Sequence, residues 1–168
     1  MNKIFALSLA TALSAAVLAV PASSQIVVTP TAQVDQMVER VSRDLDRQLD
    51  RSADFRGVTT GNGIIIVRFE RDAAGSPQNI RYYRKSGDNR LDRVAVHAVR
   101  SLRTLDDVPA SLADDQVYQA NIVFADNRRS KDELFQQLAE EEAARLASSP
   151  AERRILALGA VASGKTGS

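Results

Sequence analysis

The 168-residue sequence has no cysteine, no tryptophan, a single histidine and an aromatic content of only 5%. Without cysteine there is no disulfide, no thiolate metal ligand and no thiol nucleophile. With His97 as the only imidazole, a zinc site or a histidine-activated nucleophile lacks the companions it needs. Few aromatics imply a small, aliphatic core. Excess charge of one sign is also missing. There are 22 basic residues, one of them Lys3 near the N-terminus, and 21 acidic ones, so an exported chain without that lysine is formally neutral. A neutral chain with its arginines scattered among acids gives no basis for nucleic acid or an anionic membrane as partner.

The longest apolar run is at the N-terminus. Met1-Asn2-Lys3 precedes a stretch of apolar and small residues from Ile4 to Val20, followed by Pro21-Ala22-Ser23-Ser24. This is the pattern of a secretory signal with cleavage after Ala22 or Ser24, leaving no stable membrane anchor. The run is short for a span, and Pro21 with two serines is an odd continuation of one. The expected location is the periplasm, where a cysteine-free domain must stand on its core alone.

The strongest fold signal is the stretch 63–86. Gly63 to Glu70 and Asn79 to Lys85 are rich in branched and aromatic residues, and Arg71 to Pro77 between them supplies Asp, Gly, Ser and Pro. That composition predicts a β-hairpin. Ile65, Val67 and Phe69 are expected to face the core with Ile80 and Tyr82, while Arg68 and Glu70 alternate onto a half-wet face.

Before the hairpin, Val34, Val38, Val41, Leu45 and Leu49 recur at spacings of three and four, predicting an amphipathic helix over about 32–52. After it, Ser86-Gly87-Asp88-Asn89 offers a break and helix caps. Leu91, Val94, Ala95, Ala98, Val99 and Leu102 then share one face of a second helix, with His97 partly exposed. Leu105 to Asp115 reads as a loop. Val117 to Phe124 reads as a third strand, with Tyr118, Ala120, Ile122 and Phe124 on one face and Gln119 and Asn121 on the other. A two-stranded ribbon is marginal alone, so the second helix is expected to cover three antiparallel strands. Two helical signals come next: Ser130-Lys131-Asp132-Glu133 as a capping box, and Pro150 opening a short helix through Ile155, Leu156 and Leu158 to a stop at Gly159. Arg145 lies within reach of Glu141.

Chemical motifs are few. Gly159 to Thr166 matches the phosphate-loop pattern G-x-x-x-x-G-K-T, yet only Gly167 and Ser168 come after it. A phosphate loop must open a helix within a nucleotide fold, so the match carries no nucleotide site. Asp106-Asp107 and Asp114-Asp115 are neighbours that do not share a face, and Asp88, Asp92 and Asp126 lack calcium-ligand spacing. The expectation is no enzyme, no cofactor and no metal.

The order of pieces from Gly63 to about Asn127 carries a resemblance. The rhythm of Ile65, Val67 and Phe69, the turn glycine Gly75, Ser86-Gly87, Leu91-Asp92 with the face of Ala95, Ala98 and Val99, Pro109 in a loop, and the strand Val117 to Phe124 are together similar to the C-terminal domain of TonB. TonB is the periplasmic end of the bacterial outer-membrane energy transducer. The resemblance implies an α+β fold with a β-β-α-β core and an antiparallel three-stranded sheet, flanked here by an N-terminal amphipathic helix and C-terminal helices. It also implies a transport-related role in the bacterial envelope. Members of that family bind an extended receptor segment by adding it as a strand beside the last strand of the sheet. Carried onto this chain, the peptide-binding edge would comprise Val117, Tyr118, Gln119, Asn121 and Val123.

The chain departs from a usual transducer. It lacks a long proline-rich spacer and the Tyr-Pro pair before the first strand, and it has extra helices after Phe124. The expected division is a signal peptide (1–24), an N-terminal helix and connector (25–62), a TonB C-terminal-like domain (63–127), a C-terminal helical extension (128–158) and a flexible tail (159–168). The expected function is a non-catalytic, periplasmic protein- or peptide-binding module, whose partner is a periplasmic protein or an outer-membrane receptor peptide. The alternative is a structural or self-associating protein, such as a homodimer, that uses the 33–52 stripe and the helices of 131–158.

Overall fold

The computed structural model describes residues 30–57, 61–105 and 108–163. The expected signal peptide and the pair Asp106-Asp107 lie outside the described residues. Helix α1 runs Pro30–Arg56, and the hairpin comes next as β1, Gly63–Arg71, and β2, Pro77–Arg84. Then come α2, Asn89–Arg100, and β3, Tyr118–Ala125. Helix α3 is Arg128–Ser148, α4 is the four-residue Pro150–Arg153, and the described part ends with strand β4, Leu156–Ser163.

The sheet has four strands in the order β2-β1-β3-β4. The pairs β1–β2 and β1–β3 are antiparallel, and β3–β4 is parallel. This overturns the expected antiparallel three-stranded β-β-α-β core. It also overturns the expected helix from Pro150 to Leu158, which stops at Arg153, and Gly159 to Ser163 lie in a strand rather than a tail. Pro150 and the Ser149 cap start the helix as the sequence suggests, with Ser149 Oγ accepting from Glu152 N at 3.2 Å. The strand beyond it reads Leu-Ala-Leu-Gly-Ala-Val-Ala-Ser. The ladder to β3 satisfies its backbone groups, so tertiary pairing overrides the local helical preference.

One sheet face carries the main core. Ile65, Val67 and Phe69 of β1, Tyr118, Ala120, Ile122 and Phe124 of β3, and Leu158, Ala160 and Ala162 of β4 meet the α2 face of Leu91, Val94, Ala95, Ala98 and Val99. Helix α1 adds Met37, Val41, Leu45 and Leu49. It lies against α2 and β4 and shields the β4 end of the sheet. The expected α2 stripe is inward, as are Val41, Leu45 and Leu49 of α1; ahead of them Met37 takes the buried place, Val38 packs at the margin of the core and Val34 stands outside it. Ile80 packs at the rim of this core, while Tyr82 is 38% exposed and does not enter it.

The opposite face is half-wet at Glu70, as expected, but not at Arg68, which is buried. Helix α3 covers this face, and Ile64, Ile66, Val123 and Leu138 form a second apolar cluster there. Helix α3 begins earlier than the capping box predicts. Asn127, in extended conformation, is its N-cap and accepts from Ser130 N at 2.9 Å.

The residues between the hairpin and α2 form a local lock. Asp88 caps α2 by accepting from Arg90 N at 2.8 Å. Buried Asp92 accepts from Ser86 N at 2.9 Å and Ser86 Oγ at 2.8 Å. Gly63 packs under this lock: a Cβ there would lie 2.7 Å from Ser86 Cβ, so the β1 entrance needs glycine.

Candidate binding surface

The five residues expected to present a peptide-binding edge belong to, or immediately precede, an interior strand. Tyr118, Gln119, Asn121 and Val123 pair with β1 on one side and with β4 on the other. Val117 lies just before β3, and its carbonyl accepts from Leu156 N at 3.1 Å. The position expected for a receptor strand is occupied by the chain's own β4. Their side chains are spent internally as well. Tyr118 stacks on Phe69 with ring centroids 5.5 Å apart, and burial pushes its phenol above the ordinary range. Val123 lies in the second apolar cluster.

Gln119 and Asn121 enter a polar cluster between the sheet and α3–α4. Arg68 donates to Gln119 Oε1 at 2.9 Å and to both Glu152 carboxylate oxygens, at 3.0 and 2.5 Å. Gln119 Nε2 donates to Asn121 Oδ1 and to Glu142 Oε1. Arg145 pairs with Glu142 at 2.8 Å and donates to the Glu152 carbonyl, rather than reaching Glu141. Glu141 pairs instead with Arg84 of β2 at 2.5 Å. Tyr83 closes the cluster, with the Arg68 guanidinium 3.7 Å from its ring centroid. Hydrogen bonding from Arg68 holds the Glu152 carboxyl below its ordinary value. Glu142 and Glu152 are each bound to arginine, so the cluster ties α3 and α4 to the sheet as a clamp.

The outer margin of β4 is capped by α1. Gly159 N donates to Ser42 Oγ at 3.2 Å and Val161 N to Asp46 Oδ1 at 2.9 Å. These amides would otherwise offer an open template for another strand. Burial raises the Asp46 carboxyl, partly offset by the bond from Val161. The sequence offered no signal for this pairing, because Ser42 and Asp46 lie on the polar side of an amphipathic pattern.

At the other end, β2 pairs on one side only. Its register slips twice against β1, and Asn79 has a φ of 52°. Such bulges disrupt a regular ladder and guard an edge strand. Beside β2 lies a groove of about 350 Å³ between the hairpin, α2 and the end of α1. Its apolar wall is Ile80 and Val96, and Arg56, Arg93, Arg100, Tyr82 and His97 complete the lining. Arg93, His97 and Arg100 fall at helical spacings of four and three, so one face of α2 carries them all. Tyr82 Oη donates to the Asp92 carbonyl at 3.2 Å, and Ser52 Oγ lies 2.9 Å from His97 Nδ1. Burial raises the Tyr82 phenol, so it is a neutral hydrogen-bonding group at neutral pH. Among the described residues, Arg56, Arg93 and Arg100 make no ion pair.

Sequence reasoning placed Arg93 and Arg100 on the wetter side of their helix but did not unite them with Arg56 or Ile80. That union depends on α1 continuing to Arg56, beyond its expected end near Ser52. Among the described residues no three His, Asp or Glu side chains are grouped to hold a metal ion. The phosphate-loop match has Gly159 to Ser163 in β4, and Gly164 to Thr166 fall outside the described residues. Comparison with protein-family models, with curated proteins and with solved structures gives no match to this chain.

Proposed function

We propose that this protein is a non-catalytic, exported protein- or peptide-binding module that takes its partner on the β2–α2 side. The observation that carries this reading is the asymmetry of the sheet. Its β3–β4 end is closed by the chain's own last strand and by α1, while its β2 end borders an open groove. A pocket with an apolar wall and a few convergent polar groups suits an extended segment with a small number of anchoring side chains. The bulged margin of β2 favours recognition through side chains over the addition of a regular strand. The periplasmic location and a receptor-derived partner rest on the leader and on the TonB-like sequence pattern of residues 63–127.

The self-association alternative has less to build on. Leu45 is fully buried and Leu138 is 8% exposed, so the centres of both stripes are used within the fold, while Phe135 and Leu146 of α3, 38% and 42% exposed, are what remains for a partner copy. The test is titration with peptides from the periplasmic segments of outer-membrane receptors, followed by backbone amide shifts. Perturbation at residues 80–84 and 93–100 is expected. Shifts confined to 118–125 and 156–163 would mean that β4 is displaced instead, and no shift with any peptide would sink the proposal.

A further inference from the structure

We infer that the β2–α2 groove selects an acidic extended segment, one bearing carboxylates at alternate positions. This inference rests on the reading of that groove as the docking surface, and charge complementarity identifies the occupant. Three guanidiniums converge on the groove, and no carboxylate of the described residues pairs with any of them. Three arginines beside the sheet are neutralised, Arg68 by Glu152, Arg84 by Glu141 and Arg145 by Glu142. Others, such as Arg71 and Arg128, also make no ion pair among the described residues, so what sets the groove apart is that three such cations line one recess. A chain of formal net charge only +1 that gathers three cations around one apolar-walled recess has a local field that attracts anions.

The geometry narrows the anion further. All three cations are arginines, whose planar fork matches a carboxylate by two parallel hydrogen bonds. Arg93 and Arg100 are seven residues apart on one helix, hence about 10 Å along its axis. An extended chain covers that distance in about three residues. Two acidic side chains on the same face of such a chain, two residues and about 7 Å apart, fall a few ångströms short of that span, a gap that the long, flexible arginine side chains close. The side chains between them on the other face stay in solvent. Ile80 and Val96 give the recess an apolar wall for the aliphatic stem of a glutamate, and Tyr82 flanks it. Lipid and nucleic-acid phosphates are less well matched, because the cations surround a recess instead of forming a broad basic face.

The probe is a capped seven-residue peptide, Ser-Glu-Val-Glu-Val-Glu-Ser, compared by calorimetry and amide shifts with its counterparts carrying Gln or Lys in place of Glu. The Glu peptide is expected to bind at least tenfold more tightly than the Gln peptide, to shift amides of residues 80–82 and 93–100, and to weaken as salt is raised. The Lys peptide is expected not to bind. The exposed substitutions R93Q and R100Q together should bring the Glu peptide down to the Gln level, whereas R128Q on α3 should change nothing. Circular dichroism of each variant checks that the fold is retained. Equal binding of Glu and Gln peptides in the groove overturns the acidic preference and leaves the docking surface standing. Binding of inorganic phosphate as tight as that of the Glu peptide also overturns it. If neither peptide shifts any groove residue while receptor-derived segments do, the acidic inference fails alone. If no peptide of either kind does, both readings fail.

Discussion

Among single residues, those of the arginine–carboxylate cluster behind the sheet are the most sensitive. The Arg145 side chain is only 4% exposed and touches Glu142 and the carbonyl of Glu152. Removing one partner of such a pair leaves a charge buried without compensation, which typically costs about 3–5 kcal/mol. Arg145→Ala should therefore lower the unfolding free energy by about 3 kcal/mol in urea titration, far more than Arg129→Ala, whose pair with Glu133 is solvent-exposed. The same cluster fixes a pH dependence. Hydrogen bonds from Arg68 depress the folded-state value of Glu152 below the ordinary 4.5. The stabilisation is complete above the unfolded value and is lost as pH falls through the lower folded one. Urea midpoints should thus decline as pH is lowered below about 4.5, and Glu152→Gln should flatten that decline while reducing stability at neutral pH. A Glu152→Gln protein with an unchanged acid limb would assign the decline to other carboxylates.

Asp44 works in the same sense on the opposite side of the molecule. Burial by itself would raise its carboxyl, but bonds from Arg103 N, Gln48 and Arg47 outweigh burial and leave it lowered. Through Arg103 N and Thr104 Oγ1 it ties α1 to the segment that leaves α2. None of this was legible in the sequence, where Asp44 reads as one more charge on the polar face of a helix. The partner atoms lie about sixty residues away, and periodicity reports only which side of a helix is apolar.

Among the elements, β4 depends on α1 as much as on β3. Asp46 accepts from Val161 N, and burial raises the carboxyl so that ionisation is disfavoured in the fold. A group raised in the folded state stabilises below its unfolded value and costs stability once pH passes its folded one. At neutral pH Asp46→Asn keeps an oxygen acceptor and removes that cost, so stability should rise or stay level. Asp46→Ala leaves the Val161 amide without its acceptor and should cost about 1 kcal/mol. Hydrogen exchange at the Val161 amide checks the mechanism: it should speed up in the alanine variant and not in the asparagine one. The other elements were more readable. The hairpin, the α2 stripe and the inward face of β3 follow from alternation and helical spacing, because each buries one face against the same core. The capping box failed for a local reason: Asn127, three residues earlier, starts the helix by accepting from the Ser130 amide.

Taken whole, the molecule closes its own sheet. Ending the protein at Ile155 would bare the outer side of β3 and withdraw Leu158, Ala160 and Ala162 from the core. Such a truncated chain should unfold at markedly lower urea and self-associate through the exposed strand, measurable as a rise in mass by light scattering. A monomer of unchanged stability would show that β4 is dispensable. Among the described residues the β2 margin has no second strand beside it, and two bulges there distort its ladder. An open groove beside a guarded edge, opposite a margin sealed by β4 and α1, is the arrangement on which the proposed docking rests.

Local periods are written in the chain itself: the hairpin, the three long helices, and which residues of β1, α2 and β3 point to the core. They rest on the positions of apolar residues and on turn and cap chemistry, which act within a few residues. Packing alone made Leu156 to Ser163 a strand, removed the free edge of β3, and set Arg56, Arg93 and Arg100 around one groove. The leucines and alanines of this segment favour a helix on their own, so it is the unpaired side of β3 and the capping side chains of α1 that set its conformation. Three arginines from two helices acquire a common role only when packing brings their surfaces together.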